Sequence, residues 1–207
     1  RSSDLKKEII DDEAPNGIVI VTIDKAGDEI IRIMNESQLP YIHDPKAPRS
    51  LLMDKQGKFA LGIGGYVRAT GEYDFGGIVD DIDFVPANIP SSSKIKNQFQ
   101  MDASTATIFL KLVGHTRLLG DFTVYTAGNF RGGDKTFQLR NAYMSFRNIT
   151  VGYTYGGFMD LGALPSTIDF QGPNGATFYR ATQLSYTYKG LKDFRFQASI
   201  EAPAVDG

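Results

Sequence analysis

From Lys58 onward the chain alternates. Phe59, Leu61, Ile63, Val67, Tyr73 and Phe75 share one parity, and Lys58, Tyr66, Arg68, Thr70, Glu72 and Asp74 take the other. Successive side chains of a strand point to opposite faces, so a period of two predicts a strand with one apolar and one wet face. The run covers about eighteen residues, whereas a globular strand takes ~5–6 and a tilted crossing of a bilayer takes about 9–11. The same pattern returns downstream. Phe122, Val124, Thr126 and Phe130 oppose Asp121, Thr123, Tyr125, Asn129 and Arg131. Ile149, Val151, Tyr153 and Tyr155 oppose Thr150, Gly152 and Thr154. Phe194, Phe196, Ala198 and Ile200 oppose Asp193, Arg195, Gln197, Ser199 and Glu201. Less regular stretches at 98–113, 136–146 and 177–188 bring the prediction to seven strands. In the last of them Arg180 shares its parity with Phe178, Leu184 and Tyr186, which predicts a bulge or a change of face beside it.

The connections carry a second signal. Segments 76–97 and 157–176 are long, whereas 114–120, 147–148 and 189–192 are short; only 131–135 is shorter than a strict alternation asks. Membrane barrels of the outer-membrane type have short turns on one rim and longer loops on the other. The predicted fold class is therefore all-β, a transmembrane antiparallel β-barrel. Single-chain bacterial barrels have an even strand number, so seven strands predict that the sequence covers only the first part of one. Residues 58–207 are assigned to the barrel. Residues 1–57 are assigned to a separate N-terminal periplasmic extension with a short strand over 18–23, a helix over 28–37 and a stiff linker through Pro40, Pro45 and Pro48.

Composition is compatible with this reading and excludes others. No run approaches the ~18 consecutive apolar residues of a spanning helix, and a mean hydropathy of -0.21 suits a barrel in which only alternate residues face lipid. Ten Tyr, fourteen Phe and 22 Gly suit a strand-rich, tightly turned chain. The absence of Cys removes disulfides and thiolate metal sites, and a formal charge of -2 offers no broad basic face for nucleic acid. Residues 1–15 are charged and have no apolar core segment, so an export signal is expected to have been removed or to lie upstream.

The block LRNAYMSFRNITVGYTYGGFMDLGALPSTIDFQGPNG, Leu139 to Gly175, resembles the DcaP-like porins, relatives of the phosphate-selective porins. Leu139, Arg140, Ala142 and Tyr143 match the family's first strand element and Gly152 its glycine-containing strand. Phe158, Met159 and Asp160 match the start of its loop, and Leu164, Pro165, Asp169, Phe170, Gly172 and Pro173 the loop itself. The similarity spans roughly Phe59 to Pro203, the N-terminal half of such a porin, with Arg180 matching an arginine after the loop. This chain has Ser185 where the family often has a second arginine, and Met101 to Thr107 where it has arginines in its second strand. The resemblance implies a homotrimer of barrels of roughly sixteen strands in the bacterial outer membrane. It also implies an N-terminal helical extension, lipid as partner, and passage of small anionic solutes such as dicarboxylates.

Selectivity in a pore comes from charges at its constriction. Arg68, Arg131, Arg140 and Arg195 have wet-face parity, and together with Arg180 they are the candidate pore-lining residues; Arg140 also lies in the family motif. The loop 157–176 carries Asp160 and Asp169 and no Lys or Arg, so folded inward it would narrow the pore with negative charge. Asp74, Asp80, Asp81 and Asp83 form an acidic group without EF-hand spacing, which reads as a solvated loop and not a metal site. His43 and His115 lie in different segments, and no Gly-x-Ser-x-Gly, phosphate loop or zinc motif is present. No catalytic residue, metal or cofactor is expected. The competing classes are a non-channel surface or adhesin-like barrel, a barrel-based hydrolase, and a soluble eight-stranded ligand-binding barrel.

Overall fold

The computed structural model describes residues 18–22, 26–36, 48, 50–75, 97–159, 161, 163–165, 178–191 and 194–203. In chain order the elements are β1 (Ile18–Thr22), α1 (Asp28–Glu36), β2 (Ser50–Asp54), β3 (Phe59–Tyr66), β4 (Thr70–Asp74), β5 (Gln98–Asp102), β6 (Thr107–Thr116) and β7 (Gly120–Asn129). They continue with β8 (Gln138–Phe146), β9 (Ile149–Tyr155), β10 (Arg180–Leu191) and β11 (Phe194–Pro203). Nine strands make one antiparallel meander in the order β1-β2-β3-β6-β7-β8-β9-β10-β11, and β4 pairs with β5 in a separate two-stranded ladder. Among the described residues the meander is not closed, because β1 and β11 form its edges. No described helix is long and apolar enough to cross a membrane.

Turn chemistry sets the register. Phe146 pairs with Ile149 across Arg147 and Asn148, both at positive φ (44° and 68°), the conformation a two-residue hairpin turn of the primed type requires. At the β2–β3 turn, Gly57 at φ 69° lets its N–H reach the Asp54 carbonyl at 2.9 Å, while the Asp54 carboxylate accepts from Phe59 N–H at 2.7 Å. The 131–135 connection includes a single 3-10 turn, Gly133–Lys135.

Three expectations are corrected. The eighteen-residue strand is two strands, β3 and β4, interrupted at 67–69, and its partner is likewise split into β5 and β6. The cause lies across the ladder: Ser104 donates from both N–H and hydroxyl to the Asp102 carboxylate, each at 2.7 Å, and Ala106 N–H closes on Ala103 C=O. That local turn diverts the backbone from the ladder. Secondly, the segment before Gly57 is not separate from the sheet, because β2 pairs with β3 and β1 with β2. The strand expected over 18–23 forms as β1, but β2, which joins it to the sheet, is five residues with too little alternation to be read from sequence alone. Thirdly, β10 runs beside β9 from Arg180 to Tyr186 without a shift; the irregularity falls later, between Tyr188 and Leu191.

The helix forms close to where the sequence placed it. Asp28 and Glu29 suit the positive end of the helix dipole, and Ile30, Ile33 and Met34 make an apolar stripe at i, i+3 and i+4. Nine residues are too few for a helix to persist alone in water. Its stability comes from the stripe, which buries against Leu51 of β2, Ala60 of β3 and Val113 of β6. Each such side chain contributes about 1.5–3 kcal/mol when fully buried.

Candidate pore wall

Pairing partners across a sheet point to the same face, so the registers can be read as rows. One row runs Ile20, Leu52, Leu61, Leu112, Val124, Met144, Val151, Leu184 and Ile200, an aliphatic side chain in every strand of the meander. The neighbouring row on this face is Phe59, Gly114, Phe122, Phe146, Ile149, Tyr186 and Ala198, rich in aromatics near the short turns. Phe130 and Phe137, with ring centroids 6.0 Å apart, lie toward the other rim. From Phe122 to Phe130 the strand path is about 27 Å, or about 20 Å of height at a tilt of ~40°, close to the apolar band of a membrane barrel between its aromatic girdles. Ile200 is 78% exposed and Phe196 58%, large apolar surface with no cover among the described residues.

The opposite face is built differently. Its middle row is Leu51, Gly62, Lys111, Tyr125, Tyr143, Gly152, Gln183 and Glu201. The row toward the short turns is Met53, Ala60, Val113, Thr123, Ser145, Thr150, Ser185 and Ser199, of which the last five are hydroxyls. A face of hydroxyls, amides and phenols is suited to water, and α1 sits on this face. It is the inner wall. The expected orientations of Val124, Val151 and Phe196 outward and of Thr123, Thr150 and Gln197 inward agree with these registers.

Gly152 has a defined reason. Its φ is +128°, and a Cβ there would lie 2.3 Å from the Ala142 carbonyl oxygen and 2.6 Å from the Tyr143 Cα. No side chain fits between β8 and β9 at that point. The rings of Tyr125 and Tyr143 stand 5.5 Å apart beside the gap, and the Thr154 hydroxyl donates to the Asn141 side-chain oxygen at 3.2 Å.

The candidate arginines do not converge. Arg68 lies in the interruption after β3, half-buried. Arg131 follows β7, its N–H donating to the Asn129 side chain at 3.3 Å. Arg140 falls where β8 bulges between Ala127↔Asn141 and Gly128↔Leu139, so it is the extra residue of the bulge. A bulge re-aims its residue and alternation alone does not fix the direction. Arg180 continues the outward series of Thr182, Leu184 and Tyr186, so its backbone position does not belong to the inner row. Its guanidinium lies 4.3 Å from the centroid of Tyr155 and 4.9 Å from that of Phe178, and it donates to the Tyr155 hydroxyl at 2.9 Å. Arg195 is exposed near the short-turn end of β11. Asp160 and Asp169, like Asp80, Asp81, Asp83 and His43, lie outside the described residues; Asp74 is half-buried at the end of β4.

Three charged groups that were not among the candidate site residues hold the wall together. Lys111, 3% exposed, donates from Nζ to the Met34 carbonyl at 2.7 Å, satisfying an end-of-helix acceptor with a cation. Arg32 of α1 binds Asp121 of β7 at 2.5 Å, and Asp121 also meets His115 Nδ1 at 2.7 Å. Glu29, His115 and Asp121 are within reach of one another, yet the Arg32 guanidinium already pairs with both carboxylates and supplies the positive charge there. Glu201 receives three donors: Gly157 N–H, the Tyr179 hydroxyl and the Ser199 hydroxyl, each at 2.7 Å. It thereby ties both ends of the long connection between β9 and β10 to β11. Hydrogen bonding to Glu201, with partial burial, raises the Tyr179 phenol above its ordinary value. The signal for Lys111 was present in sequence as a wet-face parity inside an irregular stretch, but its partner is a main-chain carbonyl far away along the chain.

No family model matches this sequence. No curated protein matches it either. Among solved structures, the outer membrane channel DcaP of Acinetobacter baumannii superposes with a TM-score of 0.61 at 20% identity, covering 71% of this chain. The chain spans 42% of the length of that channel. The likeness shows the fold: the meander has the architecture of part of an outer-membrane β-barrel.

Proposed function

We propose that this chain forms part of an outer-membrane diffusion channel, open to small polar solutes and carrying out no chemistry on them. One observation supports the reading above all others. The face opposite α1 carries an unbroken aliphatic row through nine strands, while the α1 face carries hydroxyls, amides, phenols and charges at the same height. Backbone groups in hydrocarbon must be paired internally, which a closed strand ladder achieves, and a lipid-facing exterior around a wet interior is the chemistry of a barrel with an aqueous lumen. The solved channel of the same fold supports the same assignment and the bacterial outer membrane as its place.

The finer reading is a weak preference for anionic solutes such as dicarboxylates, carried by Arg68, Arg131, Arg140 and Arg195 and opposed by the loop carboxylates Asp160 and Asp169. A guanidinium presents two parallel donors to a carboxylate. Arg180 is withdrawn from the pore-lining group, since it packs against the rings of Tyr155 and Phe178 at an outward position by register. The assembly proposed is a homotrimer, as the resemblance implies. Conductance of the full-length protein in planar bilayers tests the channel, and reversal potentials with and without Arg140→Ala test the preference. A protein that inserts but conducts no ions would favour a surface barrel instead.

A further inference from the structure

The inner wall has an occupant. α1 presses Ile30, Ile33 and Met34 onto Leu51, Ala60 and Val113, all of them inward-facing by register. Seated there, it covers Lys111, a cation in the middle row of the wall, and engages its Nζ through the Met34 carbonyl. The residues of α1 that remain exposed are Asp28, Glu29, Arg32, Asn35 and Glu36. Three carboxylates against one guanidinium give that side a net negative charge. Arg32 is itself bound by Glu29 at 2.6 Å, Glu36 at 2.8 Å and Asp121 at 2.5 Å, so its single charge is outnumbered by the carboxylates around it and the cluster stays net negative.

From this arrangement we infer that α1 is a charge-reversing constriction: it narrows the lumen from inside, buries the cation Lys111 and replaces it with an acidic surface. The inference rests on the channel reading. It adds the helix to the charges that oppose the arginines' anion preference. Solutes meeting this part of the pore face Glu29 and Glu36, which weaken that preference. With α1 unseated, the same section widens and Lys111 faces water.

The test uses reversal potentials and single-channel conductance of the full-length protein in planar bilayers under a potassium chloride gradient. Glu29→Gln with Glu36→Gln leaves the apolar stripe intact and is expected to shift the chloride-to-potassium permeability ratio toward chloride by about fourfold, roughly twofold for each of the two unit charges removed at ~8 Å in water. Lys111→Gln, which keeps a donor for Met34, is expected to leave the ratio of the otherwise wild-type channel unchanged. Ile30→Asp with Ile33→Asp unseats the helix; conductance rises, and in that background Lys111→Gln shifts the ratio toward potassium by about twofold. Should the unseating variant fail to insert, the carboxylate pair and Lys111→Gln in the wild-type background decide alone. A ratio unmoved by the carboxylate pair, or a full Lys111→Gln effect with α1 in place, overturns this inference and leaves the channel standing. A wild-type protein without conductance overturns the channel reading itself.

Discussion

The Lys111 ammonium donates to the Met34 carbonyl over 2.7 Å, joining the middle of the inner wall to the last turn of α1. Both groups are almost fully buried, so removing the donor leaves the carbonyl without its cationic partner. Lys111→Met should loosen the helix by about 1–3 kcal/mol, the penalty for an unsatisfied buried acceptor. Faster tryptic cleavage after Arg32, with the barrel still resistant to heat in detergent, is the expected result. Equal cleavage in variant and wild type would show that the apolar stripe alone holds α1.

Val151 and Thr150 are neighbours on opposite faces. Arg at Val151, inside the aliphatic row, should cost about 2–4 kcal/mol near the bilayer midplane, and Arg at Thr150 far less. Urea unfolding from lipid vesicles measures both. Equal tolerance would contradict the assignment of faces.

Gly152→Ala should be among the most damaging small substitutions in the wall. The added Cβ meets the main chain of Ala142 and Tyr143 at distances no real Cβ adopts, and φ of +128° suits only glycine. The expected outcome is loss of the heat-resistant barrel on a denaturing gel; Gly133→Ala, where a Cβ meets nothing within 4 Å, is the matched control.

Glu201 fastens the two ends of the β9–β10 connection, and Tyr179 is the part of this fastening that titrates at alkaline pH. Its folded pKa is raised, so its contribution to stability is fully present below the unfolded value of about 10 and is lost as pH rises through the folded value. The difference between ultraviolet titrations of wild type and Tyr179→Phe should place this phenol above the remaining tyrosines. Glu201→Ala should abolish that displacement and speed proteolysis within 157–179.

The parts of this fold that were legible in sequence are those governed by period two. β7, β9 and β11 lie where Phe122, Val151 and Phe196 put them, and the Arg147–Asn148 turn was visible as a gap too short for anything else. Failures arose where a side chain overruled the period. Asp102 draws the chain out of the ladder through Ser104, and a bulge at Arg140 cancels the parity on which its pore-facing assignment relied. The site was less legible than the fold. Lys111, Arg32 and Glu201 matter through partners distant in sequence, and no spacing rule connects residue 111 to a carbonyl at 34. Arg180 pointed to the pore by family motif alone, while the register and two aromatic rings hold it elsewhere.

The interruption between β3 and β4 has a consequence for how this protein can change. Partners in the β3–β6 ladder, such as Tyr66 and Thr107, have numbers that sum to 173, whereas those in the β4–β5 ladder, such as Thr70 and Asp102, sum to 172. The outer arm is therefore offset by one residue from the wall that bears it. An insertion or deletion in the arm would be absorbed at the 67–69 and 103–106 joints and would not turn Leu61, Leu112 and Val124 from lipid to water. The joint works as a firebreak, and it leaves the outermost hairpin free to diversify under selection while the wall stays the same.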